Sequence, residues 1–369
     1  MNNLKRILTI SLFIGLLGCQ TPEVSKKETG AYPVKNFPAY YGRYEIPANN
    51  PLTYEGVALG RMLFYEKQLS KDNTITCASC HQQKFAFSDG LALSVGFQGR
   101  QREVGSMSLA NLLWQNRFNW NGSATSLEQQ VLMPIQHAAE MNLSLEEAVN
   151  KLQNNTSYPP KFKEVFGNQV ITSENIAKAL AQFLRILVSA DSKFDKYLRK
   201  ETQLSAQELR GRDLLQHPFA GRVRGGNCID CHVDITFAGS KIGLEAFKNN
   251  GLDTDENLKA GLFAITQNPF DKGKFKVPTL RNIALTAPYM HDGRFKTLEE
   301  VLDHYNDHIQ MSSTLDPLIL EATNELFPPA GQVKLGLTAQ EKQDIIAFLK
   351  TLTDEKFITN PAFSNPFSK

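Results

Sequence analysis

The chain of 369 residues has no surplus of charge, with 40 Lys and Arg against 38 Asp and Glu, a net of +2. That balance removes any global electrostatic case for a nucleic-acid partner. Spanning a bilayer takes ~20 apolar residues, and the apolar run at residues 7–17 is too short for that. Strand signals are sparse, so a mostly α fold is expected. Cysteine is scarce as well: there are five, at positions 19, 77, 80, 228 and 231. Hydrophobic content of 41% and charged content of 21% are ordinary for a globular protein. The length allows two domains of usual size, each with its own core.

What is present begins with an export signature. "MNNLKR" is a basic n-region, residues 7–17 are an h-region, and Leu-Leu-Gly-Cys ends at Cys19. This resembles a lipoprotein signal spanning 1–18, with Cys19 the site of lipidation and residues 19–46 a polar, flexible tether. An exported protein would normally oxidise free thiols. Here Cys19 is assigned to lipid, and each remaining pair sits in a C-x-x-C-H motif: "CASCH" at 77–81 and "CIDCH" at 228–232. That motif is the attachment site of a c-type haem: two thioether bonds hold the porphyrin, and the next histidine reaches the iron. A shared zinc site would leave the histidine after each pair unexplained. Thioredoxin-type chemistry would need a βαβ context that the sequence does not show. The reading is two haem c, held by Cys77, Cys80 and His81 and by Cys228, Cys231 and His232.

The surroundings of the two motifs are alike. "GVALGRMLFYEKQLS" precedes the first and "LSAQELRGRDLLQHPF" the second, each read as a helix entering a haem loop. A second amphipathic helix follows each, at 173–190 with Ser173 as N-cap and at 338–354 with Thr338 as N-cap. The pattern predicts a tandem of two cytochrome c-like domains: 47–203, then 204–355, with a tail at 356–369.

Two further stretches bear on chemistry: "NWNGSATSLEQQVLMPIQHAAEM" at 119–141 and "KFKVPTLRNIALTAPYMHDGRFKTLEEVLDHYN" at 274–306. With the paired haem motifs, they resemble the bacterial dihaem cytochrome c peroxidase family, which includes MauG-like enzymes. The resemblance covers nearly all of residues 47–355. It implies that electrons from a small cytochrome c enter at the C-terminal haem, and that hydrogen peroxide is reduced at the N-terminal one. Glu140 and Gln130 fall at the positions of the family's catalytic glutamate and its companion glutamine, with Pro134 between them. Alone, Glu140 would read as a solvated helix-face carboxylate. Trp120 matches the tryptophan between the haems, although the flanking Asn119, Asn121 and Ser123 depart from the family run; a core role is the alternative.

Many members cap the resting N-terminal haem with a histidine sixteen residues after the motif. Here that residue is Phe97, which cannot ligate iron, and His137 is the one local substitute. A five-coordinate iron at rest is therefore expected. At the other haem, the position of the usual axial methionine holds Tyr305, the MauG-like arrangement, with His304, His308, Met290 and Met311 as alternatives. His291 is expected to shape the haem environment, and His217 has no argued role. The family's interdomain calcium would take backbone carbonyls of Thr286 and Pro288, but its asparagine ligand is here Gly105, which weakens the site.

The resemblance thus implies a periplasmic, lipid-anchored peroxidase, with a homodimer allowed and no nucleic acid. Two alternatives stay open. One is a MauG-like oxidase using high-valent haem iron on a protein or aromatic substrate. The other, from a different class, is a dihaem electron carrier.

Overall fold

The structure is a computed structural model that describes residues 28–215, 224–240, 244–324 and 333–368. Cys19 with its signal, and His217, lie outside the described residues. The elements are almost all helical, and the described strands are a single two-residue antiparallel pair, β1 (Phe247–Lys248) and β2 (Phe275–Lys276). No helix among the described residues is long and apolar enough to cross a membrane.

Each half is built on a pair of crossed helices. In the first, α1 (Tyr54–Phe64) packs on α3 (Ser173–Arg185); α2 (Leu127–Gln136) lies against the same α3. In the second, α4 (Ala206–Asp213) packs on α6 (Ala339–Lys350), with α5 (Leu298–Asp307) alongside. Both crossings depend on a glycine. A Cβ on Gly60 would come within 1.9 Å of the Ala179 carbonyl oxygen, and one on Gly211 within 1.8 Å of the Asp344 oxygen. In each case the Cβ of a phenylalanine of the partner helix, Phe183 or Phe348, would also lie 2.9 Å away. The internal repeat read from the sequence is therefore a repeat of backbone contact.

Hydroxyl caps start these helices: Thr53, Ser126, Ser205, Thr297 and Thr338 each accept from a backbone N–H in the first turn. Such a cap stabilises a helix by about 1 kcal/mol. One expectation is corrected. The cap of α3 is Thr172, whose side chain accepts from the Asn175 amide, and Ser173 is the first helical residue.

α3 also ends earlier than 190, at Arg185. Ile186 and Leu187 are still fully buried, so apolar periodicity runs on past the helix. The backbone there bonds to Asn111 instead, which donates its amide to Leu187 O at 2.9 Å and accepts from Ser189 N at 2.8 Å. Asn282 occupies the matching place in the second half, taking Leu352 O and Asp354 N as its partners. Both asparagines adopt a left-handed φ of 62°. Asn282 also reaches Ser189 Oγ at 2.9 Å, so one buried polar network joins the two halves.

The core of the second half takes in Phe194, ten residues ahead of the expected boundary, along with Leu204 at its start. Phe357 and Phe363, from the supposed tail, pack into the N-terminal core. Arg61 donates to the Ser364 and Pro361 carbonyls, and Gln83 to those of Phe357 and Asn360. The chain end is thus a strap across the first half, beside its haem motif. At the junction, Arg281 and Asp195 form a fully buried ion pair at 2.8 Å, and Arg281 lies against the rings of Tyr41, Phe194 and Phe237.

Candidate functional site

Two clefts open in the molecule, one per half. The N-terminal cleft is lined by Cys77, Cys80 and His81, with Phe64, Leu180 and Leu184 as apolar walls. The C-terminal cleft is lined by Cys228, Cys231 and His232, with Leu302, Ile345 and Leu349 among its walls. All four thiols are free, and burial pushes each up to about 12.

The histidines are held alike. His81 Nδ1 donates to Phe87 O at 2.8 Å; His232 Nδ1 lies 3.1 Å from Phe237 O and 3.0 Å from Pro278 O. Phe87 and Phe237 present these carbonyls from left-handed conformations, with φ of 63° and 48°. A carbonyl can only accept, so the proton sits on Nδ1 and Nε2 is left with its lone pair, as a metal ligand requires. Burial favours the neutral ring in both, lowering His81 and taking His232 down to about 4. Paired free thiols, a ligand-ready imidazole and an apolar slot fit a haem c in each cleft.

The opposite walls differ. In the N-terminal cleft α2 carries Gln130, whose Oε1 is buried with no hydrogen-bond partner among the described residues. Past the end of α2 a turn presents Glu140, whose amide donates to His137 O at 2.9 Å. The loop before it fits closely: a Cβ on Gly96 would fall 2.3 Å from Ala139 O, and Phe97 donates its N–H to Glu140 O at 2.7 Å. Phe97 itself is buried with Arg100 over its ring and is not among the residues that line the cleft.

Arg102 lies 3.1 Å from Glu140 Oε1, and both side chains are 22% exposed. Burial raises the Glu140 carboxyl above its ordinary range, and Arg102 pulls it back down. His137 also lines the cleft, 3.8 Å from the same oxygen, with its Nδ1 accepting from Ala139 N.

The C-terminal cleft has a different cluster. Tyr305, on α5, lines it together with Met290. Asn250 donates to Tyr305 Oη at 3.0 Å and sits 3.3 Å from Met290 Sδ. Burial raises the Tyr305 phenol, and the Asn250 donation works against that. The other candidate ligands stand apart: His304 bonds Asn250 O at 2.9 Å, His308 pairs with Asp307, and Met311 is exposed. His291 stacks on Phe275 with ring centroids 3.7 Å apart.

Trp120 lines both clefts. Its Nε1 donates to Gly105 O at 2.7 Å, and its own carbonyl accepts from Lys276 N at 2.9 Å. Calcium finds a thin donor set. Thr286 and Pro288 border the C-terminal cleft, and Gly105 brings no side chain and already uses its carbonyl for Trp120. Among the described residues no group of three or more His, Cys, Asp or Glu could hold a metal ion.

The candidates Glu140, Gln130, Trp120 and Tyr305 all line the clefts, where Arg102 and Asn250, not named from the sequence, stand beside Glu140 and Tyr305. The signal for Arg102 was weak, because the residue reaches Glu140 across 38 positions through loop packing.

Comparison with known proteins agrees with this geometry. A family model described as di-haem cytochrome c peroxidase matches residues 54–203. The chain is 35% identical over 311 residues to methylamine utilization protein MauG of Methylorubrum extorquens, covering 84% of this chain and 81% of that one. It is 30% identical over 359 residues to cytochrome c551 peroxidase of Nitrosomonas europaea, covering 96% and 93%. Among solved structures, a MauG-like protein associated with microbial copper homeostasis is 37% identical, with a TM-score of 0.76 over 90% of this chain and 99% of that one. The chain belongs to the di-haem cytochrome c peroxidase family, whose members include both cytochrome c peroxidases and MauG and which implies two haem c cofactors.

Proposed function

We propose that this protein is a dihaem peroxidase that reduces hydrogen peroxide to water with electrons from a small cytochrome c. The haems are attached through Cys77 and Cys80 and through Cys228 and Cys231. The observation that carries the reading is the juxtaposition, in the cleft of His81, of Glu140 held by Arg102 and of Gln130 with a buried, unpartnered amide oxygen. When bound, the haem supplies the electrons for cleaving the O–O bond. The overall reaction joins one peroxide, two protons and two electrons to give two waters, so two one-electron donors are oxidised per turnover.

The protein's part is positioning and proton movement. The Gln130 amide orients the peroxide by hydrogen bonding. Glu140 takes the proton from one peroxide oxygen and delivers it to the other, which becomes water. Arg102 opposes the burial that raises this carboxyl, and so favours the carboxylate form that acts as a base. Trp120, bordering both clefts, is the relay between them. Tyr305 would hold the C-terminal haem iron opposite His232, whereas Phe97, which cannot ligate and is not among the residues lining the cleft, would leave the N-terminal iron open to peroxide. The resemblance of residues 1–18 to a lipoprotein signal supports a periplasmic protein with a lipid anchor at Cys19.

A second reading is a MauG-like oxidase acting on a protein or aromatic substrate. The Asn250–Tyr305 pair favours it, because a tyrosine ligand, toward whose oxygen Asn250 donates, lowers a haem potential and makes the C-terminal haem a poorer acceptor from a cytochrome. Steady-state oxidation of a reduced cytochrome c by peroxide decides between the two. Sustained turnover supports the peroxidase, and a spectral change with peroxide but little cytochrome turnover supports the oxidase. Peroxide leaving the spectrum of wild type and Glu140→Gln unchanged would leave only an electron carrier.

A further inference from the structure

Between the two clefts sits a cation that the reaction described above does not use. Lys276, on β2, borders both the N-terminal and the C-terminal cleft. It is 7% exposed, in a segment held by its own N–H to Trp120 O and by the pairing of Lys248 with Phe275. Its ammonium donates to Gln115 Oε1, a neutral partner. Among the described residues no carboxylate pairs with it. Burial alone acts on the amine, pushing it down to about 8, and no charged neighbour contributes.

The other cations of the clefts are engaged. Arg102 is paired with Glu140, Lys248 with Asp316 at 3.1 Å, and Arg117 donates to Gly122 O. Burying an ammonium without an anion costs several kcal/mol, and native proteins pair such groups. A strand that holds a lysine in this position therefore anticipates an anion that arrives with the clefts' occupants. Every haem c carries propionate carboxylates, and Lys276 faces the space of both haems.

We infer that Lys276 is a propionate-binding residue shared by the two haem clefts, and that its charge holds up the reduction potentials of both haems. A positive charge beside a haem favours the ferrous form, which carries one positive charge fewer. This inference rests on haem occupying both clefts and is independent of whether peroxide or another substrate is turned over.

The test uses the full-length holoprotein, with haem counted by pyridine haemochrome and each haem's midpoint potential followed by spectroelectrochemistry. Wild type should carry two haems. Lys276→Met should carry two haems with both reduction equilibria moved toward the ferric form by about tenfold or more, 59 mV for one electron. Lys276→Arg, which keeps the charge, should stay near wild type. Gln115→Leu removes the neutral partner and should move both equilibria by less than about threefold.

A Lys276→Met protein with two haems and unmoved potentials would overturn the inference while leaving the haem reading intact. If Lys276→Met fails to load haem, normal loading and potentials in Lys276→Arg support the inference, and failure of Lys276→Arg as well overturns it. Fewer than two haems in wild type would overturn the occupancy and the inference together.

Discussion

The two clefts share a scaffold and differ in the wall that faces it. On the shared side the parallels run residue by residue: Gly60 with Gly211, Asn111 with Asn282, Phe87 with Phe237, His81 with His232. On the other side, the N-terminal cleft has an ionisable carboxylate beside an arginine and an amide with a free oxygen. The C-terminal cleft has a buried phenol held by an asparagine. The scaffold fits a haem in each cleft, and on the proposed reading the facing wall gives each its task. A carboxylate that can accept and return a proton suits bond cleavage. A phenol whose oxygen is oriented by an asparagine suits holding an iron in one state.

The largest break in this comparison should come from Glu140→Gln. Positioned acid–base groups contribute about 10²–10⁴ in rate, so the substitution should cut peroxide reactivity by that order while leaving the Tyr305-side spectrum unchanged. Stopped-flow mixing with peroxide reads it; a loss below tenfold would move the acid–base role elsewhere.

The shared scaffold can be probed by Gly60→Ala and Gly211→Ala. Each added methyl would overlap a carbonyl of the partner helix, and overpacking of this kind costs about 1–3 kcal/mol. Denaturant melts should show similar losses for the two. A loss confined to one would break the equivalence of the halves.

Tyr305→Phe should act on the second cleft alone, raising the C-terminal haem's reduction equilibrium by about tenfold, 59 mV for one electron, with the N-terminal potential constant. Equal shifts in both, by spectroelectrochemistry, would contradict a local ligand.

The smallest effect should be that of Arg102→Leu. Burial raises the Glu140 carboxyl and Arg102 opposes it, so without the arginine burial acts alone. The carboxylate then protonates at higher pH, and the acid-side fall in peroxide rate should move to higher pH. No movement, or movement to lower pH, would deny the coupling.

The sequence made legible what depends on local order. The C-x-x-C-H spacing pointed to residues that line the two clefts, and the register from Gln130 through Pro134 to Glu140 pointed to one wall of the first. What it hid depends on the chain returning to itself. Arg102 meets Glu140 only because Gly96 lets one loop lie against another. Asn250 meets Tyr305 across 55 positions. Helix α3 was read too long because Ile186 and Leu187 remain in the core after the helix has ended, and burial rather than helicity sustains the apolar pattern. The tail read as a terminus because nothing in "PAFSNPFSK" announces that Phe363 belongs to the first core.

On the proposed reading, peroxide reacts in the cleft of Glu140, and the cleft of Tyr305 only passes electrons to it. Rapid mixing of the fully reduced holoprotein with one equivalent of peroxide, following each haem by its own optical and EPR signal, tests this directly. The N-terminal haem should be oxidised first, with the C-terminal haem following, and both phases should slow in Glu140→Gln. Oxidation that begins at the C-terminal haem, or runs at an unchanged rate in Glu140→Gln, would contradict it.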